Sequence, residues 1–461
     1  MIILFILLIG GWFLFLSPTE LTEAQKRAAA AHAERELYLL RDEMFATAPN
    51  SKGQPFNKIV KLFKQTSIPL RLGVGDEVSE EICALYFLAH SSKKRMSLAK
   101  SLDWYEYLID QDKMRSVFVR DVVLPEYVES TMSPSTILRA PSFIKDRLHM
   151  WQKDKLAKLY SLFLNKVVPK PDYSATKLPV KTRKNEPIRE GLRNSTIETI
   201  KIGEQLLASS SKEDFSTLFA QHVEFLTWLI KGDCREQLHS LAKLLNEREA
   251  ELWPSRLYLA ETFACTYETG HSDTKAAQEL IALARKQAPT EDKFLLDSKK
   301  AVVEAIAASN VLGNLEKAKR MHINSVANSK KVLTKCSAQH KHYNRILLDH
   351  LLCLEHMYFS QRMSKNDIDD LLKLFTSIDE KAIPLYDRYL YLMGRGIINE
   401  MQLKRVEASK DLDLSAFCAP HSRRGRALAI QYATELLRGL NPIIKSGQRT
   451  NGDGRSRLLK D

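Results

Sequence analysis

Residues 257–284 read LYLAETFACTYETGHSDTKAAQELIALA and contain two helix-length blocks on either side of a polar turn. In each block, small and apolar residues recur at the three- and four-residue steps of one helix face. These positions are Leu257, Ala260, Ala264 and Tyr267 in the first block, and Ala277, Leu280, Ile281 and Ala284 in the second. Because the turn is short, the two helices can only be antiparallel neighbours. The stretch therefore predicts a helical hairpin.

The same pattern extends over residues 206–391. Two further blocks show it clearly, at Phe219, Val223, Leu226 and Ile230, and at Leu238, Leu241, Ala242 and Leu245. Only residues 117–124 resemble a β-strand, and a single strand cannot form a sheet. The sequence predicts an all-α protein whose residues 196–440 form a solenoid-like array of α-hairpins.

Glycine turns recur between the blocks, at Gly232, Gly270 and Gly313, where glycine can end a helix in the left-handed conformation. Two segments resemble the tetratricopeptide repeat family, whose unit is a helical hairpin of about 34 residues. They are Tyr267-x-x-Gly270 with Ala277, Ile281, Ala284 and Pro289, and Gly313-Asn-Leu-Glu-Lys-Ala318. The resemblance covers residues 215–326, although the units are longer than the family's and lack its Trp and Leu-Gly.

This resemblance implies a right-handed superhelix of hairpins with a concave groove for peptide or protein partners and no chemistry of its own. The alternative is a non-repetitive helical bundle in which glycine turns happen to fall at similar spacing.

The chain starts with an apolar run, IILFILLIGGWFLFL at residues 2–16. As a helix it spans about 22 Å, and extension through Leu21 brings it closer to the roughly 30 Å of a bilayer core. No basic residue precedes the run and no Ala-x-Ala follows it, which favours an uncleaved membrane anchor at residues 1–21 over a cleaved signal peptide or a buried helix. The basic residues after it, Lys26, Arg27, Arg35 and Arg41, place the bulk of the chain in the cytoplasm, as a single-pass membrane protein.

The charge distribution suggests further boundaries. The net charge is +13. Residues 165–195 hold eight Lys/Arg and three Asp/Glu, and residues 421–461 hold nine and three. We expect a helical stalk and first helical domain at residues 22–164, a basic Pro-rich linker at 165–195 and a disordered basic tail at 441–461. The basic segments, notably Ser422-Arg-Arg-Gly-Arg426, could bind anionic lipid or nucleic acid, and the simpler reading is solvated loops.

The sequence contains no phosphate-binding loop and no nucleophile or metalloprotease motif, and Gly394-Arg-Gly396 lacks the third glycine of a dinucleotide site. One group of residues offers the sulfur and nitrogen ligands that suit zinc. It consists of Cys336, His340, His342, His350, Cys353 and His356. Three-residue steps diverge around a helix, so this group favours a buried Cys353 over a zinc site. The six scattered cysteines include no CxxC and are expected to be reduced and buried. We predict no catalytic, cofactor-binding or metal-binding residues and no cofactor.

These patterns together predict a membrane-anchored helical-repeat scaffold for protein–protein interactions, without enzyme activity or a small-molecule substrate. Protein partners would bind the helical array, and residues 2–16 would anchor the chain in the membrane. Two alternatives stay open: an enzyme whose active site is assembled from distant residues, and a protein that binds nucleic acid or anionic lipid through the basic linker and tail.

Overall fold

A computed structural model describes residues 98–111, 119–149, 153–178, 186–193, 195–230, 234–248, 252–265, 273–311, 313–359 and 365–440. Within these ranges the protein is helical and has no β-strand, which confirms the predicted all-α class. The predicted anchor at residues 2–16, most of the predicted stalk and the tail at 441–461 lie outside the described residues. None of the described helices combines the length and the apolar character needed to cross a bilayer.

The chain forms two compact units, residues 1–143 and 144–461. The described part of the first contains α1 (Leu98–Gln111), a π-helix (Val119–Val123), α2 (Leu124–Thr131) and most of α3 (Arg139–Asp146). The resemblance of residues 117–124 to a β-strand is wrong for residues 119–124, the described part of that segment, which are helical. Val119 and Val123 are four residues apart and both fully buried, as one helix face requires.

The second unit continues with fourteen further α-helices within the described residues. They are α4 (Lys153–Val167), α5 (Glu186–Arg193), α6 (Thr196–Ser209), α7 (Lys212–Leu229), α8 (Arg235–Glu247), α9 (Trp253–Cys265), α10 (Thr274–Gln287), α11 (Lys293–Ser309), α12 (Leu315–Lys335), α13 (Tyr343–Phe359), α14 (Lys365–Thr376), α15 (Arg388–Met401), α16 (Arg405–Cys418) and α17 (His421–Leu440).

Consecutive helices pack as hairpins, most extensively α9 with α10, α11 with α12, and α15 with α16. Side-chain caps start the second helix of the first two pairs: Asp273 accepts a hydrogen bond from the Ala276 amide, and Asn314 accepts one from the Lys317 amide. Gly313 has φ of 75°, the left-handed conformation expected at this turn. The apolar faces predicted for α9 and α10 are buried wherever the structure describes them.

The two compact units divide between residues 143 and 144, and the domain boundaries predicted from the sequence stay predictions. Residues 165–195 belong to the second unit, where Glu186–Arg193 forms α5. Backbone carbonyls nearby are bound by the last helices: Arg388 Nη1 donates to Tyr173 O at 2.8 Å, and His421 Nε2 lies 3.1 Å from Pro169 O. The proline and charge content gives this segment no apolar core of its own, and distant donors bind the carbonyls of Tyr173 and Pro169.

Gly394 and Gly396 lie inside α15, where they let neighbouring helices approach closely. A Cβ on Gly394 would lie 2.7 Å from Leu351 Cδ2 of α13, and one on Gly396 would lie 2.8 Å from Leu412 Cγ of α16. The Gly-x-Gly pattern is thus explained by helix packing.

Candidate functional site

Six ionisable side chains come together in the interior of the described part of the second unit and are here called the charge cluster. Three are basic and three are acidic. They are Lys299 on α11, Arg345 on α13, Arg423 on α17, Glu261 on α9, Asp349 on α13, and Asp387 just before α15. Five segments that are far apart in sequence therefore meet through charged groups, and the formal charge of the cluster is zero.

Glu261 is the hub of the charge cluster. Its carboxylate lies 2.8 Å from Lys299 Nζ, 2.9 Å from Arg345 Nη2 and 3.1 Å from Arg423 Nη2. Burial by itself would raise the pKa of Glu261, but the charges of the three basic groups outweigh burial and hold that pKa well below its usual range. Glu261 is therefore ionised and fully engaged with cations, which makes it unsuited to accept a proton from a substrate.

Asp349 anchors the other end of Lys299. It is fully buried, and its two oxygens lie 2.7 Å from Lys299 Nζ and 2.8 Å from the Ser298 hydroxyl. Arg345 completes the cluster through an ion pair with Asp387, which is 1% exposed. Because charges this deeply buried are stable only when paired, each of these groups depends on the others.

Arg423 ties α17 to α9 by further hydrogen bonds. Its Nη1 donates to Thr262 Oγ1 at 2.7 Å and its Nη2 donates to the Tyr258 carbonyl at 3.0 Å. The guanidinium also lies 4.6 Å from the centre of the Tyr258 ring. Tyr258 and Ser422 both bond the Glu224 carboxylate, so the polar contacts continue from α9 and α17 to α7.

A cavity of about 20 Å³ adjoins the charge cluster, with Glu261, Lys299, Arg345, Tyr389 and Arg423 in its walls. That volume holds about one water molecule. Burial raises the pKa of Tyr389 to about 12, so its hydroxyl stays protonated at neutral pH. The arrangement can hold a water and link helices, and it leaves no room for an organic substrate.

Two other buried groups stand apart from the charge cluster. Glu355 on α13 is 1% exposed, and neither carboxyl oxygen has a hydrogen-bond partner among the described residues. Burial raises the pKa of Glu355 to about 8. His222 on α7 is fully buried, with Nδ1 2.9 Å from the Tyr160 hydroxyl, and burial lowers its pKa to about 3. Both groups are therefore neutral at pH 7, and neither lines the cavity at the charge cluster.

The histidines of the Cys/His group each contact a different partner. His342 Nε2 lies 2.7 Å from Asp292, and His340 Nε2 lies 3.0 Å from the Glu291 carbonyl. Within α13, His350 Nδ1 contacts Ser329, and Arg426 lies 3.0 Å from His356 Nε2. The described part of the chain contains no group of three or more His, Cys, Asp or Glu able to hold a metal ion.

Cys353 is buried among apolar residues, as expected, and burial raises its pKa to about 12. The other described cysteines, Cys234, Cys265, Cys336 and Cys418, are also buried, and none of them forms a disulfide within the described residues. Buried thiols of this kind are side chains of the protein interior.

The basic segment Ser422-Arg-Arg-Gly-Arg426 is also placed differently from a solvated loop. It lies in α17, and Arg423 and Arg426 are 5% and 8% exposed. Both guanidinium groups are engaged inside the protein, with Glu261 and with His356. This segment therefore offers far fewer free cations than its sequence suggests.

Sequence reasoning did not find the charge cluster, because its members come from five separate segments. One signal was available. Arg423, Glu261 and Lys299 each lie next to the apolar face of a helix. At such core-facing positions an amphipathic helix usually carries an apolar side chain. No known protein-family model matches the sequence, and comparison with characterised proteins finds no significant relative.

Proposed function

We propose that the second unit is a helical scaffold that binds other proteins and performs no chemistry, tethered to a membrane by residues 2–16. The observation that carries this proposal is the small cavity at the charge cluster. The six charged groups of the cluster pair with one another, and the adjoining space of about 20 Å³ admits a water molecule only. We therefore interpret the charge cluster as a group that holds the helices of the array together rather than as an active site.

The packing of successive hairpins supports the repeat-like part of the proposal. The pair α9 and α10 packs on α11, which in turn pairs with α12. Stacking of this kind is how tetratricopeptide-like units bury a continuous core and expose an extended surface to partners.

Large apolar side chains at both ends of α15 also favour a protein partner. Leu385 and Tyr386, before the helix, are 61% and 60% exposed, and Leu403 and Val406, after it, are 71% and 80% exposed. Exposed apolar side chains are the ones that association with another protein would cover.

Photo-crosslinking in cells tests the scaffold. A photoreactive residue in place of Val406 should give an adduct with a discrete protein, whereas the same residue in place of Lys243, whose side chain is 80% exposed and polar, should not. If neither Val406 nor any other exposed position of residues 196–440 gives a protein adduct, the scaffold proposal fails.

Membrane fractionation tests the tether separately. The full chain should sediment with membranes through a high-salt wash and be released by detergent, and deletion of residues 2–16 should let the high-salt wash release it. Release of the intact chain by salt alone would refute the tether and leave the scaffold untouched.

A further inference from the structure

The helix α12 has an unusual distribution of side chains. It packs mainly on α11 and α13, yet the residues that it buries are small or polar: Ala318, His322, Ser325 and Ser329. Two of its larger apolar residues, Leu315 and Ile323, point outward and are 74% and 46% exposed, whereas Met321, Val326, Val332 and Leu333 are partly buried. A helix that served only for packing would bury Leu315 and Ile323 as well.

The outward side of α12 is also strongly basic. It carries six exposed basic residues and one exposed acidic residue, Glu316, for a net charge of 6 − 1 = +5. The basic residues are Lys317, Lys319, Arg320, Lys330, Lys331 and Lys335. Lys330 lies 3.7 Å from Asp370, and the other five have no carboxylate within ion-pairing distance in the described part of the protein.

From these observations we infer that α12 lies against the headgroups of an anionic phospholipid surface. From Lys317 to Lys335 the helix extends about 27 Å, so cations near both of its ends can contact one flat surface. Leu315 and Ile323 enter the interface between headgroups and acyl chains, and the lysine side chains extend to the phosphates.

A nucleic acid is the weaker fit to the same face. Its phosphates would bind the cations, but Leu315 and Ile323 would gain little from a phosphate backbone. The combination of outward apolar residues and unpaired cations on one helix favours a lipid surface. This contact involves a different element from residues 2–16 and does not require them to be an anchor.

The test uses the full chain with p-benzoylphenylalanine in place of Ile323, so that only contact at α12 is recorded. The protein is illuminated with vesicles of phosphatidylcholine alone, or of phosphatidylcholine with phosphatidylserine. Lipid adducts should form with phosphatidylserine present and should fall to the phosphatidylcholine level in high salt.

Two variants with the same loss of charge identify the surface. The first changes Lys317→Gln, Arg320→Gln and Lys331→Gln on α12, and the control changes Lys243→Gln, Lys275→Gln and Lys286→Gln, all exposed on α8 and α10. Each cation near an anionic surface contributes about a fivefold gain in affinity, so the first variant should weaken the contact roughly 100-fold. The control should retain the adduct.

Circular dichroism of both variants checks that the fold is kept. The inference is overturned if phosphatidylserine does not increase the adduct, or if the two variants lose it equally. It is also overturned if a duplex oligonucleotide binds through the α12 cations while phosphatidylserine vesicles do not.

Discussion

The charge cluster predicts a large, non-additive loss of stability when Lys299 is removed. Lys299 is 4% exposed and its ammonium lies 2.8 Å from Glu261 and 2.7 Å from Asp349. After Lys299→Met, Glu261 keeps two arginines, but Asp349 keeps only the Ser298 hydroxyl at 2.8 Å and Arg345 Nε at 3.8 Å. Breaking a buried pair in this way costs about 3–5 kcal/mol of unfolding free energy.

The partner change Asp349→Leu should cost about 3 kcal/mol, because Lys299 would still contact Glu261. In the double variant with Lys299→Met both charges of the pair are absent, so neither is left buried without its partner. We therefore expect the double variant to be about 2 kcal/mol more stable than the sum of the two single losses implies.

The assay is native-state hydrogen exchange of the amides of α11 and α13, which reports the local free energy of opening in the second unit. Lys300→Met is the matched control, because that side chain is 59% exposed and lies 3.9 Å from Glu304. It should change the free energy by less than about 0.5 kcal/mol. If the two buried changes are additive within about 0.5 kcal/mol, the pairing argument is refuted.

Three further changes test other parts of the fold by urea unfolding. Gly203→Ala should cost about 1–3 kcal/mol, because a Cβ at this position would overlap the His222 ring; an unchanged midpoint would contradict this. The carboxyl of Glu355, with its pKa raised from 4.5 to about 8, stays protonated in the folded protein but ionises in the unfolded chain. The free energy of unfolding should therefore fall by up to about 4 kcal/mol from pH 5 to pH 8, and Glu355→Gln should remove this fall. An equal pH slope in both proteins would show that Glu355 does not titrate this way. Asn314→Ala removes the cap on the Lys317 amide and should cost about 1 kcal/mol, with Asn314→Asp as the conservative control.

The helical class and the buried faces could be predicted from sequence because they depend on local periodicity. The spacing of Leu257, Ala260 and Ala264 on α9 requires one buried side, whatever the helix packs against. The cap at Asn314 and the left-handed Gly313 are local signals of the same kind.

What sequence reasoning missed depends on contacts between distant segments. Arg423 and Glu261 are 162 residues apart, so nothing local to either identifies the other as its partner. The same applies to residues 165–195, whose proline and charge predicted a solvated linker. The carbonyls of Tyr173 and Pro169 are bound by Arg388 and His421, more than 200 positions away in the chain.

The most direct test changes a side chain inside the array and measures the contact at its surface. The photoreactive residue at position 406 is introduced into the native chain and into an Asp349→Asn variant, which keeps a hydrogen-bond acceptor for Ser298 but loses one charge of the cluster. If the charge cluster only supports the array, the protein adduct should persist wherever exchange shows that α11 and α13 remain folded. Loss of the adduct with unchanged exchange protection would mean that the buried charges take part directly in what the protein does.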